Sequence, residues 1–426
     1  MIEYGDVRLK YQKEKVGALN ISDRSLLRDL AKRVVELASD PKQDLKKELW
    51  KKHNTLSGTR PMILVFPEGA WKEMLPLDSM EINDPFWKSY EWYLKRLVYR
   101  GEKITDDNII EPVIEISLVY SISDWGIPIV HKESSIENGA WGFDPVINHP
   151  DDFYKLKYPE IIIDEETTER NYQCVNEILG DIVDIKVYRN ITVDISIIGE
   201  LVQMRGLEQI LMDMIDRPKW MHEVLGFMQN GLMNLLDYIE NNIIIDLNNG
   251  NDYIGTGGIG YTDELPGESF DGAVKLKHLW GNAETQEFGI VSPTMYKEFA
   301  VEYQIPLLKR FGLNCYGCCE VLDDKFDVVK SVPNLRRISI SPWTNLIKAV
   351  GALENKYIFS WKANPNQVSS QFNEELIRKN IKDVIEITKD CNLEIILKDT
   401  HTIGNCPERI EKWVDIVRET VEGGLI

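Results

Sequence analysis

Leu313-Asn314-Cys315-Tyr316-Gly317-Cys318-Cys319-Glu320, followed by a helical pattern over Asp323–Ser331 and then Leu335-Arg336-Arg337-Ile338-Ser339-Ile340-Ser341, decides the fold. Short β-rich runs bounded by turn residues read as strands buried on both faces, and a helix between two of them makes a strand-helix-strand unit. The alternation repeats outward. Met62–Phe66, Val113–Tyr120, Ile191–Ile198, Ile243–Asn248, Tyr357–Trp361 and Leu393–Lys398 read as further strands. Leu207–Met214, Lys219–Glu240, Pro293–Arg310, Glu374–Lys389 and Pro407–Glu422 read as helices, the last with proline just inside its start. This order predicts an α/β chain whose parallel strands close into a (β/α)8 TIM barrel, with an open doubly wound sheet as the alternative.

Residues 1–56 are charge-rich and carry an apolar stripe at Leu26, Leu27, Leu30, Ala31, Val34, Val35 and Leu37, which predicts an N-terminal helical extension ahead of a barrel over 57–426. Residues 121–185, rich in turns and acids, read as an insertion over one barrel mouth. The 49 Lys and Arg against 69 Asp and Glu give a net charge of −20, which disfavours nucleic-acid binding. Met62–Phe66 and Ile243–Ile245 are too short to span a bilayer, and the chain opens without an apolar leader, so a soluble cytoplasmic protein is expected. Six cysteines make no disulfide framework, but Cys315, Cys318 and Cys319 cluster where a strand ends, the catalytic side of a barrel. Thiolates there suit zinc, and buried structural thiols are the alternative.

Other motifs are weaker. Gly255-Thr256-Gly257-Gly258-Ile259-Gly260 fits the dinucleotide pattern, yet Tyr261-Thr262-Asp263-Glu264-Leu265-Pro266 follows instead of a helix, so these glycines read as a flexible barrel loop. Asp399-Thr400-His401-Thr402-Ile403-Gly404 formally matches a cobalamin-binding signature, but only 22 residues follow Gly404, too few for the further strand-helix units of such a module, so chance is the better explanation of the match. Glu284 and Glu287 either reach the barrel mouth, as metal ligands or proton-transfer groups, or form an acidic surface loop. Trp125, Trp141, Trp280, Trp343 and Trp361 lie near strand ends, where they either wall a flat substrate or simply pack. Lys362 and Lys398 either orient an anionic group or are solvated, and His53, His131, His149, His222 and His278 read as surface or loop residues.

Gly312-Leu313-Asn314-Cys315-Tyr316-Gly317-Cys318-Cys319-Glu320, with Val332-Pro333-Asn334-Leu335 and Ser339-Ile340-Ser341-Pro342-Trp343, resembles the uroporphyrinogen decarboxylase superfamily. Arg60-Pro61, Ser292-Pro293 with Tyr296 and Phe299, and Pro407-Glu408-Arg409-Ile410 with Trp413 extend the resemblance over residues 60–425. It implies a (β/α)8 barrel and one of two chemistries. The porphyrinogen decarboxylases carry an arginine clamp after the first strand, where this chain has Val65-Phe66-Pro67-Glu68-Gly69-Ala70-Trp71. The corrinoid-dependent zinc methyltransferases carry His-x-Cys-Gly, aligned here with Tyr316 and Cys318, and a later Cys aligned near Thr400 or His401.

The resemblance thus implies transfer of a methyl group from a small O- or N-methyl compound, aromatic in one version, to a partner corrinoid protein, and it is compatible with a homodimer. It implies zinc on Cys318, His401 and Glu320, with Cys319 and Glu284 as alternatives, and catalytic roles for Glu284, Glu320 and His401. Trp125, Tyr316, Trp343, Trp361 and Lys362 are the implied substrate contacts. A decarboxylase or lyase acting on a small acid, and a non-catalytic barrel that binds a corrinoid or other ligand, are the competing expectations.

Overall fold

The computed structural model describes residues 15–132, 142–268 and 270–423; Trp141 lies outside them. Among the described residues eight strands pair in parallel: β1 Met62–Val65, β2 Val113–Ser117, β3 Asp184–Tyr188, β4 Trp280–Ala283, β5 Leu313–Tyr316, β6 Leu335–Ile340, β7 Ile358–Ala363 and β8 Asn392–Leu397. Six form one sheet in the order β1-β8-β7-β6-β5-β4, and β2 pairs with β3 separately. The fold is therefore mixed α/β, with the first strand beside the last. Every residue of β1, β5 and β7 is buried, which explains their unalternating apolar character.

The two breaks in the ladder have visible causes. Beyond β1, the backbone amides of Ile63 and Val65 donate to Asp107 Oδ2 at 2.8 Å and Asp106 Oδ2 at 2.9 Å, so carboxylates satisfy the edge that a strand would have paired. Arg60 grips Asp107 through two 2.8 Å bonds and Arg418 adds a third at 2.9 Å, so a buried anion is fully compensated. The second break corrects the sequence reading, because residues 243–248 and 191–196 form no strand. Asn248 bonds both backbone groups of Trp280 through its side chain, Oδ1 accepting at 2.9 Å and Nδ2 donating at 3.0 Å, and Asp246 takes the amide of Arg189 at 2.7 Å. Side chains here replace ladder partners. Ile197 instead opens a helix, Ile197–Arg205.

Helices cover the outer faces. Glu374–Ile387 starts on its Asn373 cap and buries Ile377, Ile381 and Val384 at helical spacing. The expected helix Pro293–Arg310 forms with a wider π turn at Lys297–Val301. Between residues 120 and 163 the described residues carry two antiparallel pairs, Tyr120–Ile122 with Ile161–Ile163 and Val130–Lys132 with Gly142–Asp144, before Glu165–Leu179 leads into β3. No helix among the described residues is long and apolar enough to cross a membrane.

The N-terminal extension forms two helices, α1 Ile21–Ala38 and α2 Lys42–Asn54. Leu27, Ala31 and Val34 of α1 enter a core with Phe86, Tyr90, Ile114 and Val175. From α2, His53 and Asn54 reach a buried ion pair, correcting the surface reading of His53, which is 1% exposed. His53 Nε2 lies 3.3 Å from Glu394 Oε2, and Asn54 Oδ1 accepts from Arg337 Nη2 at 2.8 Å. Arg337 Nη2 donates to Glu394 Oε2 at 3.3 Å, and its Nε approaches Oε1 to 3.0 Å at an angle unsuited to a hydrogen bond.

The glycine run is also corrected: it is a hairpin, Tyr253–Ile254 with Gly258–Ile259, pressed against the sheet. A Cβ on Gly258 would overlap the Arg337 guanidinium, and one on Gly255, where φ is +63°, would fall 2.8 Å from Cys315 Cβ. Close backbone approach explains these glycines, and no helix follows to bind a dinucleotide phosphate.

Candidate functional site

Where the sheet is interrupted between β3 and β4, a cavity of about 660 Å³ opens among the loops that follow β2, β3 and β4. That volume suits a small organic molecule. Glu284, the first residue past β4, stands in its wall. Its backbone carbonyl accepts from Gln304 Nε2 at 2.9 Å and its Oε2 accepts from the Gln286 amide at 2.7 Å, which fixes the carboxyl where the strand delivers it. Burial, reinforced by the charges of Glu320 and Glu287, pushes its pKa up to about 8. Near neutral pH Glu284 is therefore mainly a protonated acid. Burial likewise raises Glu287, whose Oε2 is buried without a hydrogen-bond partner.

Behind Glu284 lies a polar network. Glu320 accepts from the amide of Cys318 at 2.7 Å through Oε2 and from that of Thr285 at 3.2 Å through Oε1. Tyr296 reaches Glu320 Oε1 at 3.5 Å and the Tyr316 hydroxyl at 3.0 Å, and Tyr316 donates to Gln304 Oε1 at 2.9 Å. Burial raises both phenols, so they remain neutral donors. Tyr316, expected against substrate, is wholly buried in this network and positions the loop that carries Glu284.

Gly317, with φ at +92°, turns the chain after β5 and presents Cys318 and Cys319 with their sulfurs 3.5 Å apart. Cys319 Sγ lies 3.7 Å from Asp399 Oδ2, and Lys398 Nζ bonds Asp399 Oδ1 at 2.6 Å. The proton shared between the two sulfurs holds Cys319 below the usual thiol range and Cys318 above it. His401 is exposed on a loop beside Gly69, and the Thr400 carbonyl there accepts from the Ala70 amide at 2.9 Å. Among the described residues, no three His, Cys, Asp or Glu side chains are grouped so as to hold a metal. Cys318, Glu320 and His401 thus do not form a ligand set as placed, since Glu320 is committed to backbone amides.

The remaining expected residues scatter. Trp125 is buried in the main core with Nε1 3.3 Å from Glu200, Trp361 is buried in β7, and Trp343 is 62% exposed; none lines the cavity, whereas Trp280 does. Lys362 and Lys398 are not solvated. Lys362 is 4% exposed and bonds Ser360 Oγ at 2.5 Å, and burial lowers its pKa to about 8. The wall residues that the sequence reading missed are Asn190, Asp194, Asp252, Tyr253 and Asn282. Of these only Tyr253 carried a signal, through its place just ahead of the glycine run.

No protein-family model matches the chain, and no curated protein matches it in sequence. Among solved structures it is similar to a methyltransferase from Methanosarcina mazei, with a TM-score of 0.48 and 10% identity over 88% of this chain and 98% of that one. At that identity and score the likeness assigns neither an activity nor a residue's role.

Proposed function

We propose that this chain is a methyltransferase that takes the methyl group of a small O- or N-methyl compound and passes it to the corrinoid of a partner protein docked at the open ends of the strands. The sequence motifs around Cys318 suggest the reaction class, and the eight parallel strands fit an interrupted (β/α)8 barrel. The observation that carries the reading is Glu284, a carboxyl kept protonated near pH 7 in the wall of a cavity sized for a small molecule.

A reduced corrinoid would supply the nucleophile that accepts the methyl carbon. The chain's own contribution is to the leaving group. As the bond from methyl carbon to oxygen breaks, its electron pair stays on oxygen, and Glu284 donates its proton there. Tyr316 and Gln304 hold the loop so that this carboxyl faces the cavity. The cavity has room for the methyl donor, so the corrinoid is presented from outside. A lyase acting on a small acid finds less support, because no Lys, Arg or His among the described residues lines the cavity.

Glu284→Gln keeps the shape and removes the proton. With an aryl methyl ether and reduced cobalamin, its kcat should fall by about 10²–10⁴-fold, and wild-type activity should decline above pH 8 as Glu284 ionises. An unchanged rate in the variant, or a wild-type rate that climbs through pH 9, removes Glu284 as the acid.

A further inference from the structure

Two thiols at the open ends of the strands take no part in the reaction above. Gly317, its amide donating to the Ala283 carbonyl at 2.9 Å, turns the chain out of β5 and leaves Cys318 half-buried and Cys319 exposed, with their sulfurs 3.5 Å apart. Residues 318–320 belong to no helix or strand, so rotation of their backbone disturbs no ladder. Two bonds hold the turn as it stands: Ser339 Oγ donates to the Cys318 carbonyl at 2.9 Å, and the Cys318 amide donates to Glu320 Oε2 at 2.7 Å. Asp399 Oδ2 lies 3.7 Å from Cys319 Sγ, with Lys398 Nζ on its other oxygen at 2.6 Å. Cys315, within β5, is by contrast 2% exposed. Two adjacent, accessible sulfurs suit two-electron thiol chemistry. The Cα atoms of neighbouring residues stand about 3.8 Å apart, closer than the roughly 4.4–6.8 Å that an unstrained bridge spans. A disulfide at this place therefore closes only by turning the backbone, and it reopens readily where a structural crosslink would persist.

We propose that Cys318 and Cys319 form a redox-active dithiol, a modification site that a low-molecular-weight disulfide closes into a Cys318–Cys319 bridge and that excess thiol reopens. The Cys319 thiolate attacks one sulfur of the small disulfide, whose sulfur–sulfur bond breaks and releases one thiolate. Cys318 then gives up its proton, and its sulfur attacks that of Cys319 and expels the second thiolate. Two electrons pass from the dithiol to the small disulfide, and the two protons go with them to give two small thiols. Closure turns the Cys318 amide away from Glu320, whose Oε1 accepts the amide of Thr285, the residue after Glu284, at 3.2 Å. The bridge thus loosens the loop of Glu284 and slows turnover, an effect that alone rests on the methyl-transfer reading.

The test uses the full chain, reduced with dithiothreitol, freed of it and exposed to millimolar oxidised glutathione. After unfolding and alkylation with iodoacetamide, the tryptic peptide 311–325 should carry one alkyl group, on Cys315, and a bridge between Cys318 and Cys319. Dithiothreitol added before unfolding should restore three alkylated cysteines. Cys318→Ser should instead keep one glutathione on Cys319, since no neighbouring thiol remains to expel it. A wild-type chain that keeps that glutathione, a bridge that includes Cys315, or three alkyl groups after oxidation overturns the proposal. A methyl-transfer rate that falls several-fold on oxidation and recovers with dithiothreitol supports both readings. A bridge that forms and reopens in a chain without methyl transfer leaves this inference standing and removes the methyl-transfer reading. Methyl transfer by a chain whose thiols resist oxidation does the reverse.

Discussion

Replacing Glu394 by Gln should cost about 3–5 kcal/mol, a large share of what holds a protein of this kind together. The magnitude follows from burial. Arg337 is 2% exposed and Glu394 is 0% exposed, so neither charge has recourse to water. Burial alone would raise the Glu394 pKa, but Arg337, His53 and Lys362 outweigh it and hold the group well below the usual carboxylate range. Burial also opposes the charge on Arg337, and Glu394 and Cys315 together overcome that. The amide of Gln would leave Arg337 without its anion and Lys362 without a neighbouring negative charge.

Urea unfolding followed by tryptophan fluorescence gives the difference directly. The paired replacement Arg337→Met with Glu394→Leu removes both charges and should lose much less than Glu394→Gln alone. In the wild type the sign with pH is fixed: a depressed carboxylate stabilises fully above its unfolded value of about 4.3 and loses that contribution as pH falls toward its folded value. A loss under about 1 kcal/mol for Glu394→Gln, or a double variant worse than the single one, would refute the claim that the pair is desolvated.

Two further outcomes test the hairpin and the thiols. Gly258→Ala sets a methyl group into the Arg337 guanidinium and should destabilise by about 1–3 kcal/mol. Gly351→Ala, in the helix Leu346–Leu353 with nothing within 4 Å of the new carbon, should stabilise by about 0.5–1 kcal/mol; thermal unfolding of both reads the opposite signs. Iodoacetamide should alkylate Cys319 first and spare the buried Cys315. Peptide mass mapping against Cys319→Ser checks this, and an undiminished fast phase in that variant would contradict the assignment.

The strands were legible in the sequence because being buried on both faces forces a compact apolar run, and β5 to β8 fall where those runs are. The two misread runs, Ile191–Ile198 and Ile243–Asn248, are equally apolar; what denies them a ladder is the side chemistry of Asp246 and Asn248, which periodicity does not register. His53 was hidden by its lysine neighbours, since only one face of α2, with Gln43, Trp50 and Asn54, turns inward. Glu284 was singled out as an acid ahead of the Ser292-Pro293 helix, although the short strand Trp280–Ala283 that delivers it was not read. The rest of the cavity wall could not be singled out, because Tyr188, Asn190, Asp252 and Asn282 are ordinary polar residues far apart in the chain and meet only through the gap between β3 and β4. Trp125, Trp343 and Trp361 lie away from this cavity for a related reason: a position near a strand end does not say which way the ring turns.

Charge is settled differently in the two halves of the molecule, and this separates scaffold from site. Beneath the cysteine turn, Arg337 sits against Glu394 and Lys398 against Asp399, with His53 of α2 also on Glu394. Such pairing costs desolvation energy but makes a closed account that needs nothing from outside. Around the cavity the balance is left open. Glu284 is kept protonated by burial and by its carboxylate neighbours, Glu287 Oε2 has no partner, and Asn190 and Asn282 hold acceptors that no donor among the described residues meets. Folding gains nothing from the unpaired atoms, and each is a cost that a better-packed wall would avoid. A cavity that stays unsatisfied in this way is complementary to what it binds: a molecule bringing donors to that wall removes the cost, and its binding would stabilise the fold through that contact.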